Sequence, residues 1–443
     1  MIRIVSSSKS DILFRLRKKL SLDEGLTTRR SNALTRKVFG KPLSPAEVVK
    51  TIIADVREEG DNAILRYTRL LDGVSLTPSS MAVPPKAIRK AYSKVPSVFV
   101  KAIKAASANI LDYQSRIRMK GGPVIRKNGL SIDLKVEPIR RVGICVPGWS
   151  APLPSSLMVT SLPALAAGVE EIVMVTPPSK SGEIDPSILV AADICGIDRI
   201  FRVGGSQALA GLAFGTDTLP KVDKIAGPGN IFVTLAKKEL FGTVDIDMLA
   251  GPSEVLIIAD ETANPVFLAS DLAAQAEHYP GSSVLLTPSR KLAEKVNIEL
   301  SRLLPSLARK SMIEEDLRDF GLIVIVRDLD EAVRISGEFA PEHLQIVTRN
   351  SSGLAKKVRN AGAIFTGNYT PVALGDYFAG PSHTLPTGGS ARAFSGVNVN
   401  QFLRTTAVIT STKSYMKKNG RLIGAIAQRE GLTAHDLSVK LRE

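Results

Sequence analysis

Short runs of β-branched and aliphatic residues alternate with helix-like segments from residue 135 onward. We predict strands at 142–146, 171–176, 199–203, 255–259, 283–286, 322–327, 344–348 and 363–365. Segments with helical periodicity lie between most of them, at 155–167, 186–195, 207–214, 231–240, 265–277, 291–303 and 329–337. Strands that are separated by helices of about ten residues indicate parallel sheets with covering helices.

The two ends of the chain follow a different pattern. Helical periodicity predicts helices at 12–20, 45–70, 85–116, 421–430 and 434–442. A hairpin is predicted through 124–135, and Gly431 divides the helical tail formed by the last 45 residues. The simplest architecture is therefore two α/β lobes with helical extensions.

The length and composition bound the class of protein. A chain of 443 residues, 44% hydrophobic and 23% charged, can bury a large core and suggests two or three domains. The most apolar stretch, 157–169, is broken by Ser161 and Pro163, so no run reaches the ~18 residues of a membrane span. The basic, serine-rich start carries no secretory segment, and a transit peptide is the alternative to the helix at 12–20. We expect a cytoplasmic protein without a membrane partner.

The net charge of +15 raises the question of a nucleic-acid partner. The first 41 residues carry 11 Lys and Arg against 3 Asp and Glu, but the basic residues do not form one long patch. Aromatic residues make up only 5% of the chain and do not interleave with the basic clusters as stacking platforms would. We therefore expect no nucleic-acid partner, and a basic surface that attracts an anionic dinucleotide. Two cysteines give neither a disulfide framework nor a metal knuckle.

Three glycine-rich turns lie where a predicted strand leads into a helix, at 147–150, 204–207 and 227–230. Such turns let the backbone approach a phosphate, and the helix that follows offers free N–H groups. None of them is the G-x-G-x-x-G fingerprint, so an ordinary Rossmann domain is not predicted. Together they favour a cleft for a cofactor or a substrate.

The chain has only four histidines, and each lies near a carboxylate or an amide. The pairs are Gln275 with His278, Glu342 with His343, Asp376 with His383, and Glu430 with His435. Imidazole, carboxylate and amide groups are of the kinds that bind zinc and transfer protons. Glutamine is an uncommon metal ligand, so spacing alone leaves structural histidines as the alternative to a metal site.

Six motifs follow one another along the second half of the chain. They are Ala-Gly-Pro-Ser-Glu-Val-Leu at 250–256, Asp-Leu-Ala-Ala-Gln-Ala-Glu-His at 271–278, Pro-Glu-His-Leu at 341–344, Gly-Asp-Tyr at 375–377, Gly-Pro-Ser-His-Thr-Leu-Pro-Thr at 380–387, and the segment from Glu430 to His435. In this order they resemble the histidinol dehydrogenase family, and the resemblance extends from Pro45 to the C-terminal helix.

The resemblance implies a role for each matching residue. The implied zinc ligands are Gln275, His278, Asp376 and His435. Glu342 matches the general base that activates water, and His343 matches its acid–base partner. The zinc ligands and His343 also line the substrate, with further implied contacts from Ser253, His383 and Glu430. The implied nucleotide contacts are Gln207 and Asn230, in the second and third glycine-rich turns.

The resemblance also implies the reaction and its cofactors. The family oxidises L-histidinol to L-histidine through L-histidinal, the last steps of histidine biosynthesis. Two hydride transfers need two NAD molecules in turn, and one Zn2+ per subunit holds the imidazole and amine of the substrate. Between the two transfers water must add to the aldehyde, which the pair Glu342–His343 suits. The implied enzyme is a homodimer whose active site is shared between subunits.

The implied fold is α/β, with two lobes of incomplete Rossmann-like parallel sheets, similar to aldehyde dehydrogenases. Residues 1–30 are predicted as an N-terminal helical extension, and 398–443 as a tail that reaches the partner subunit. Residues 31–138 and 253–397 form a discontinuous lobe with most of the catalytic site. The nucleotide-binding-like lobe is 139–252.

One turn departs from the family pattern. The family has Tyr-[Val/Ile]-Pro-Gly-Gly in the first turn, with the tyrosine on the nucleotide, whereas this chain reads Cys145-Val-Pro-Gly-Trp149. Cys145 therefore takes the tyrosine's place among the implied cofactor contacts. We predict that the ring of Trp149 replaces the tyrosine ring, with a structural or subunit contact of Trp149 as the alternative.

Two other functions compete with this interpretation. The first is a zinc-dependent paralogue that oxidises another small alcohol, and the second is a basic binding protein that has lost the activity. Glu430 and His383 argue against the paralogue, because they suit the amine and the imidazole of histidinol. The presence of every implied ligand argues against the binding protein.

Overall fold

The strands of the structure form three sheets. The structure, a computed structural model, describes residues 1–9, 11–19, 35–36, 38–148 and 152–443. Its strands are β1 (Arg3–Ser6), β2 (Gly122–Lys127), β3 (Leu130–Pro138), β4 (Arg141–Cys145), β5 (Glu171–Val175), β6 (Arg199–Phe201), β7 (Lys224–Ala226), β8 (Asp245–Ile246), β9 (Glu254–Ala259), β10 (Ser282–Thr287), β11 (Gly321–Ile325), β12 (His343–Val347), β13 (Ala363–Thr366) and β14 (Leu403–Ser411).

Helices cover the sheets and extend both ends of the chain. They are α1 (Asp11–Lys19), α2 (Pro45–Glu59), α3 (Asp61–Tyr67), α4 (Pro78–Met81), α5 (Pro85–Ala91), α6 (Ser97–Ile117), α7 (Pro154–Ala167), α8 (Pro186–Ile194), α9 (Gly205–Phe214), α10 (Ile231–Leu240), α11 (Pro265–Gln275), α12 (Arg290–Leu303), α13 (Lys310–Asp319), α14 (Leu329–Phe339), α15 (Ser351–Ala355), α16 (Val372–Tyr377), α17 (Lys413–Arg429) and α18 (Thr433–Lys440). Within the described residues, no helix is both long enough and apolar enough to cross a membrane.

The first sheet has five parallel strands in the order β6-β5-β4-β7-β8. Both of its faces are buried, as β5 illustrates. Ile172 and Met174 point into one core and Val173 and Val175 into the other. Burial on both faces explains why these strands are continuous apolar runs rather than alternating ones.

The second sheet has six parallel strands in the order β1-β11-β10-β9-β12-β13. Along β9, Val255 and Ile257 face one core and Leu256 and Ile258 the other. The two sheets confirm the predicted α/β fold with parallel strands. Each of the eight predicted strands is present, with ends that differ by at most two residues.

The third sheet is antiparallel, in the order β14-β3-β2. Its β2–β3 pair confirms the predicted hairpin. The prediction of a wholly helical tail is wrong at β14, because this segment pairs along its full length with β3. Beyond it, α17 and α18 pack on each other, and Gly431 between them adopts φ +73°, a backbone conformation that favours glycine.

The N-terminal residues contribute a strand as well as a helix. β1 pairs in parallel with β11 at the edge of the second sheet, with Arg3 opposite Leu322. The predicted helix at 12–20 is present as α1, and its Leu13 and Leu16 are buried in the core of that sheet. The segment predicted as a helical extension, 1–30, therefore also completes a sheet. Residues 20–34 lie outside the described part.

Candidate active site

Three residues of the predicted site, Ser253, Glu342 and His343, lie where β9 and β12 begin. His343 opens β12 and lies opposite Val255 of the neighbouring strand, so Glu342 and Glu254 are also side by side. The glycine-rich turns follow β4, β6 and β7, at the carboxyl edge of the first sheet. Ser156, in the first turn of α7, lies with its Oγ 3.2 Å from Nε2 of His383. The carboxyl edge of the first sheet therefore meets the amino edge of the second.

Glu342 is a buried carboxylate held by one of its oxygens. Its Oε2 accepts hydrogen bonds from Ser253 Oγ at 2.6 Å and from the Glu254 backbone N–H at 2.8 Å. No hydrogen bond to its Oε1 is present within the described part of the chain. Glu342 therefore has a fixed orientation and one oxygen free for chemistry.

His343 is buried beside Glu342 and is held by one of its two ring nitrogens. Its Nδ1 lies 3.1 Å from the carbonyl oxygen of Glu254 and 3.4 Å from Oε2 of Glu342. Its Nε2 is buried, has no hydrogen-bond partner among the described residues, and lies 3.7 Å from Oδ1 of Asp376. An unpartnered nitrogen in a buried imidazole costs free energy, and the rare unpaired buried groups of native proteins often have a catalytic role.

The two side chains perturb each other's ionisation. Burial alone would raise the pKa of Glu342, but the imidazole of His343 and the donors from Ser253 and Glu254 hold it below its usual value. Burial opposes the charged form of His343, yet the carboxylates of Glu342 and Asp376 outweigh it and raise the pKa of His343 to about 9. A titratable pair perturbed in this way is typical of an acid–base site.

Asp376 lies on α16 between two histidines. Its carboxylate is 3.7 Å from His343, and its backbone carbonyl oxygen is 2.8 Å from Nδ1 of His383. Burial lowers the pKa of His383, which favours the neutral imidazole. His383 is therefore fixed between α16 and Ser156, as a contact to an uncharged part of a substrate would need.

Gln275 ends α11, and His278 ends the short 3-10 helix Ala276–His278. Gln275 is buried, and its Nε2 has no partner among the described residues, whereas His278 is exposed. Burial, followed by the carboxylates of Asp376 and Glu277, raises the pKa of Tyr377.

The imidazole of His278 and the carboxylate of Asp376 are groups that bind zinc, and Gln275 could add its amide oxygen. Within the described residues, however, no group of three or more His, Cys, Asp and Glu side chains could hold a metal. A complete site would need a further ligand.

The structure does not bring Glu430 or His435 to the other predicted site residues of the same chain. Both are exposed, Glu430 at the end of α17 and His435 in α18. In the described part of the chain, no hydrogen bond or ion pair joins either side chain to the residues around Glu342. Their tail also exposes apolar side chains, at Leu422, Ile426, Leu437 and Leu441.

Cys145, at the end of β4, lies beneath the third glycine-rich turn. It is buried, its Sγ donates a hydrogen bond to the carbonyl oxygen of Gly227 at 3.2 Å, and burial raises the pKa of the thiol to about 11. A protonated thiol in this position supports the turn and offers little surface to a nucleotide. Trp149, the residue predicted to replace the tyrosine ring, lies outside the described residues.

Gln207 and Asn230 occupy the second and third turns. Gln207 is buried in α9, and its Oε1 has no hydrogen-bond partner among the described residues. Asn230 is exposed and caps α10, where its Oδ1 accepts from the backbone N–H groups of Phe232 and Val233. Gln207 thus keeps a free acceptor, whereas Asn230 uses its side-chain oxygen within the chain.

Three residues near the site were not predicted from sequence. Glu254 contacts Glu342 and His343 through its backbone, Arg17 of α1 forms an ion pair with Glu254, and Ser156 contacts His383. Glu254 lies within the motif at 250–256, so a charged residue at the start of a buried strand was a usable signal. Arg17 and Ser156 are distant in sequence from the residues that they contact, so no local pattern indicated them.

Comparison with known proteins agrees with this geometry. Residues 41–443 match the model of the histidinol dehydrogenase family. Histidinol dehydrogenase of Rhodopirellula baltica is 47% identical over 437 residues, which cover 99% of this chain and 95% of the relative. The enzyme of the same description from Clostridium acetobutylicum is 47% identical over 401 residues, covering 90% of this chain and 93% of the relative.

Solved structures give the same result for the fold. Histidinol dehydrogenase from Elizabethkingia anophelis superposes with a TM-score of 0.89 at 34% identity, covering 99% of this chain and 97% of that one. An acetylating aldehyde dehydrogenase from Geobacillus thermoglucosidasius has a TM-score of 0.50 at 14% identity, covering 83% of this chain and 97% of that one. The second likeness concerns the fold alone.

Proposed function

The chain belongs to the histidinol dehydrogenase family, and we propose that it oxidises L-histidinol to L-histidine through L-histidinal with two NAD molecules and one zinc ion per subunit. In this reaction the alcohol and one water give a carboxylate, two hydrides pass to two NAD molecules, and three protons are released. The observation that carries the proposal is the buried pair Glu342–His343, whose ionisation each partner perturbs.

Glu342 is proposed as the base that activates water for attack on the aldehyde. Its Oε2 is already engaged by Ser253 and Glu254, while Oε1 is free to accept the proton of a water molecule. The lowered pKa keeps the carboxylate ionised at neutral pH, as a base requires. Ser253 thereby orients the base and also borders the substrate.

His343 is proposed as the acid–base partner in both oxidation steps. Its Nδ1 is held by the Glu254 carbonyl oxygen, which leaves Nε2 as the atom that exchanges a proton with the substrate oxygen. Glu342 and Asp376 flank the ring and stabilise the imidazolium that such an exchange forms.

The proposed zinc ligands are Gln275, His278 and Asp376 of one chain and His435 of the partner subunit. When bound, a zinc ion supplies an anchor for the imidazole and amine of histidinol. The support on this side is the exposed imidazole of His278, which follows Gln275 by three residues, and the carboxylate of Asp376, which lies 3.7 Å from Nε2 of His343. His383 and the partner's Glu430 are the proposed further substrate contacts.

The nucleotide is proposed to bind at the carboxyl edge of the first sheet. There the glycine-rich turns precede α9 and α10, and Gln207 offers an acceptor that no other described group uses. Helix N-termini attract the negative charge of a pyrophosphate. Two NAD molecules would use this site in succession, because each oxidation step transfers one hydride.

The proposed assembly is a homodimer in which each tail completes the other subunit's site. Support comes from the exposed positions of Glu430 and His435, which in the described part of their own chain make no hydrogen bond or ion pair with Glu342 or His343, and from the apolar residues left exposed on the tail. Exposed apolar side chains grouped on one element favour a protein interface.

NADH formation from L-histidinol tests the proposal, with and without a chelator. We expect two NADH per histidinol, loss of turnover in metal-free protein, and recovery on addition of zinc. Full activity of the metal-free protein would contradict the zinc requirement. Turnover of another small amino alcohol in place of histidinol would indicate the paralogue instead.

A further inference from the structure

Arg17 makes a two-pronged ion pair with Glu254 behind the catalytic pair. Its Nε and Nη2 each donate to one carboxylate oxygen of Glu254, both at 2.8 Å. The two side chains are 13% and 3% exposed, so solvent screens the pair little. This bidentate geometry fixes the orientation of the carboxylate as well as its charge.

The position of Arg17 is itself well defined. Its Nη1 donates to the backbone carbonyl oxygen of Phe339, and its guanidinium lies 3.3 Å from the centroid of the Phe339 ring. Leu13 and Leu16 of the same helix are buried in the core beside the second sheet. Helix α1 therefore holds the guanidinium against β9.

Glu254 connects this ion pair to the catalytic residues. Its backbone N–H donates to Oε2 of Glu342 at 2.8 Å, and its carbonyl oxygen lies 3.1 Å from Nδ1 of His343. The two peptide groups of one residue thus hold both members of the pair. Any rotation of the Glu254 backbone would misplace both.

The ion pair also stabilises the charged form of the Glu254 carboxylate, which lies behind the catalytic pair. Burial raises the pKa of Glu254, the nearby carboxylate of Glu342 raises it further, and the guanidinium of Arg17 opposes both effects. A buried charge that loses its partner is strongly destabilised. Without Arg17, the Glu254 side chain would have to turn toward another partner or take up a proton, and its backbone would follow.

We propose that Arg17 is a positioning residue of the active site, which acts through Glu254 to hold Glu342 and His343 in their reactive orientation. Arg17 lies ahead of residues 41–443, the part of the chain that matches the family model. Helix α1 thus contributes to the geometry of the active site and is not only an N-terminal extension. The inference rests on the proposed roles of Glu342 and His343.

Steady-state kinetics of four variants test the proposal with L-histidinol and with L-histidinal. Arg17→Met should lower kcat between roughly tenfold and a hundredfold for both substrates, because small misplacements of catalytic groups have effects of that size. The KM for NAD should not change, because the nucleotide site lies on the other sheet. Arg17→Lys keeps the positive charge but cannot form the bidentate pair with Glu254, so its kcat should be intermediate.

The double variant Arg17→Met, Glu254→Gln separates positioning from folding. It leaves no buried charge unpaired and should recover part of the lost kcat, even if Arg17→Met alone folds poorly. Arg15→Met is the matched control, because Arg15 lies on the same helix and pairs with Asp11 at the surface. Its kcat should equal that of the unmodified protein.

Amide hydrogen exchange gives a readout that does not depend on activity. The Glu254 amide should exchange roughly tenfold faster in Arg17→Met than in Arg15→Met, since its bond to Glu342 is weakened. Unchanged exchange of the Glu254 amide together with an unchanged kcat in folded Arg17→Met would overturn the inference, and the same result in Arg17→Lys would overturn it if Arg17→Met does not fold. Absence of any histidinol turnover in the unmodified protein would instead reject the proposed function, and exchange would still decide whether Arg17 holds Glu254.

Discussion

The ammonium group of Lys237 lies 2.6 Å from Oδ1 of Asp247, and both side chains are almost completely withdrawn from solvent. Together they hold the peptide groups of Gly227: Asp247 Oδ2 accepts from its N–H at 2.8 Å, and Lys237 donates to its carbonyl oxygen. Gly227 also has φ +117°, and a Cβ there would overlap the carbonyl oxygen of Cys145. A buried charge pair therefore fixes the third glycine-rich turn.

Replacement of Lys237 by Met should be costly for both folding and cofactor binding. It leaves the Asp247 carboxylate buried without its counter-charge, so we expect a loss of about 3–5 kcal/mol in the free energy of unfolding. Because the turn loses one anchor, the KM for NAD should rise while that for histidinol stays nearly constant. Urea denaturation and steady-state kinetics measure the two effects.

Lys224→Met is the matched control for this prediction. Lys224 is equally buried, at 5% side-chain exposure, but its partner Asp245 is 50% exposed, so the remaining carboxylate is hydrated. The expected loss is below about 1 kcal/mol. Equal losses in the free energy of unfolding of the two variants would show that the burial of the acidic partner does not affect the cost of removing the lysine.

Replacement of Glu342 by Gln should separate the two oxidation steps. The amide cannot accept a proton from water, so oxidation of histidinal should slow by roughly 10²–10⁴-fold, the usual contribution of a general base. Stopped-flow measurement of NADH formation from histidinal provides the test. The exposed Glu338, replaced by Gln, serves as control. An intact histidinal step in Glu342→Gln would show that another group is the base.

The stability of the protein should depend on the ionisation of Asp316. Burial raises the pKa of this carboxyl to about 7, against about 3.9 for aspartate in an unfolded chain. Between these values the folded protein keeps a proton that the unfolded chain has lost. The free energy of unfolding should therefore fall as the pH rises from about 4 to about 7.

Asp316→Asn should remove this pH dependence. Its amide oxygen can still accept the hydrogen bond from the Gly281 N–H, which Asp316 Oδ1 accepts at 2.9 Å. We expect the free energy of unfolding of the variant to exceed that of the unmodified protein by roughly 2 kcal/mol or more at pH 8. Near pH 4 the two free energies should be similar. Denaturation at both pH values, with the exposed Glu314→Gln as control, measures the difference. If the free energy of unfolding of Asp316→Asn fell with pH as steeply as that of the unmodified protein, the carboxyl of Asp316 would be excluded as the source of the pH dependence.

Hybrid dimers test whether the tail completes the partner's site. His278→Ala and His435→Ala should each be inactive, since each removes a proposed zinc ligand from every site. Mixed after subunit exchange, they should regain activity, because one of the two sites in a hybrid dimer has all its residues. Native mass spectrometry verifies the exchange. No recovery in proven hybrids would show that each chain builds its own site.

The fold was largely predictable because the information is local. Strands buried on both faces, such as β9 with Val255–Ala259, are short runs of apolar residues that need no partner to be recognised. The strands that were missed are short or exposed. β1 has four residues, and β14 is mostly exposed, so each is defined by pairing with a distant strand rather than by its own pattern.

Within the candidate site, local sequence patterns indicate a contact only where neighbours in sequence are also neighbours in space. Glu342 and His343 are adjacent in both, and Gln275 and His278 lie one helical turn apart. The link from Arg17 through Glu254 joins segments that no local pattern relates. The contact of Cys145 with Gly227 follows from the pairing of β4 with β7, which the sequence did not predict.

The pairing of β1 with β11 has a consequence for synthesis on the ribosome. Arg3 is synthesised more than three hundred residues ahead of its partner Leu322. At translation rates of about 5–20 residues per second, β1 waits between roughly 15 seconds and one minute for the strand beside it. The first sheet, complete at Ile246, can form during that delay. The nascent chain therefore has a long interval in which its N-terminal apolar strand is open to chaperones and to wrong pairing.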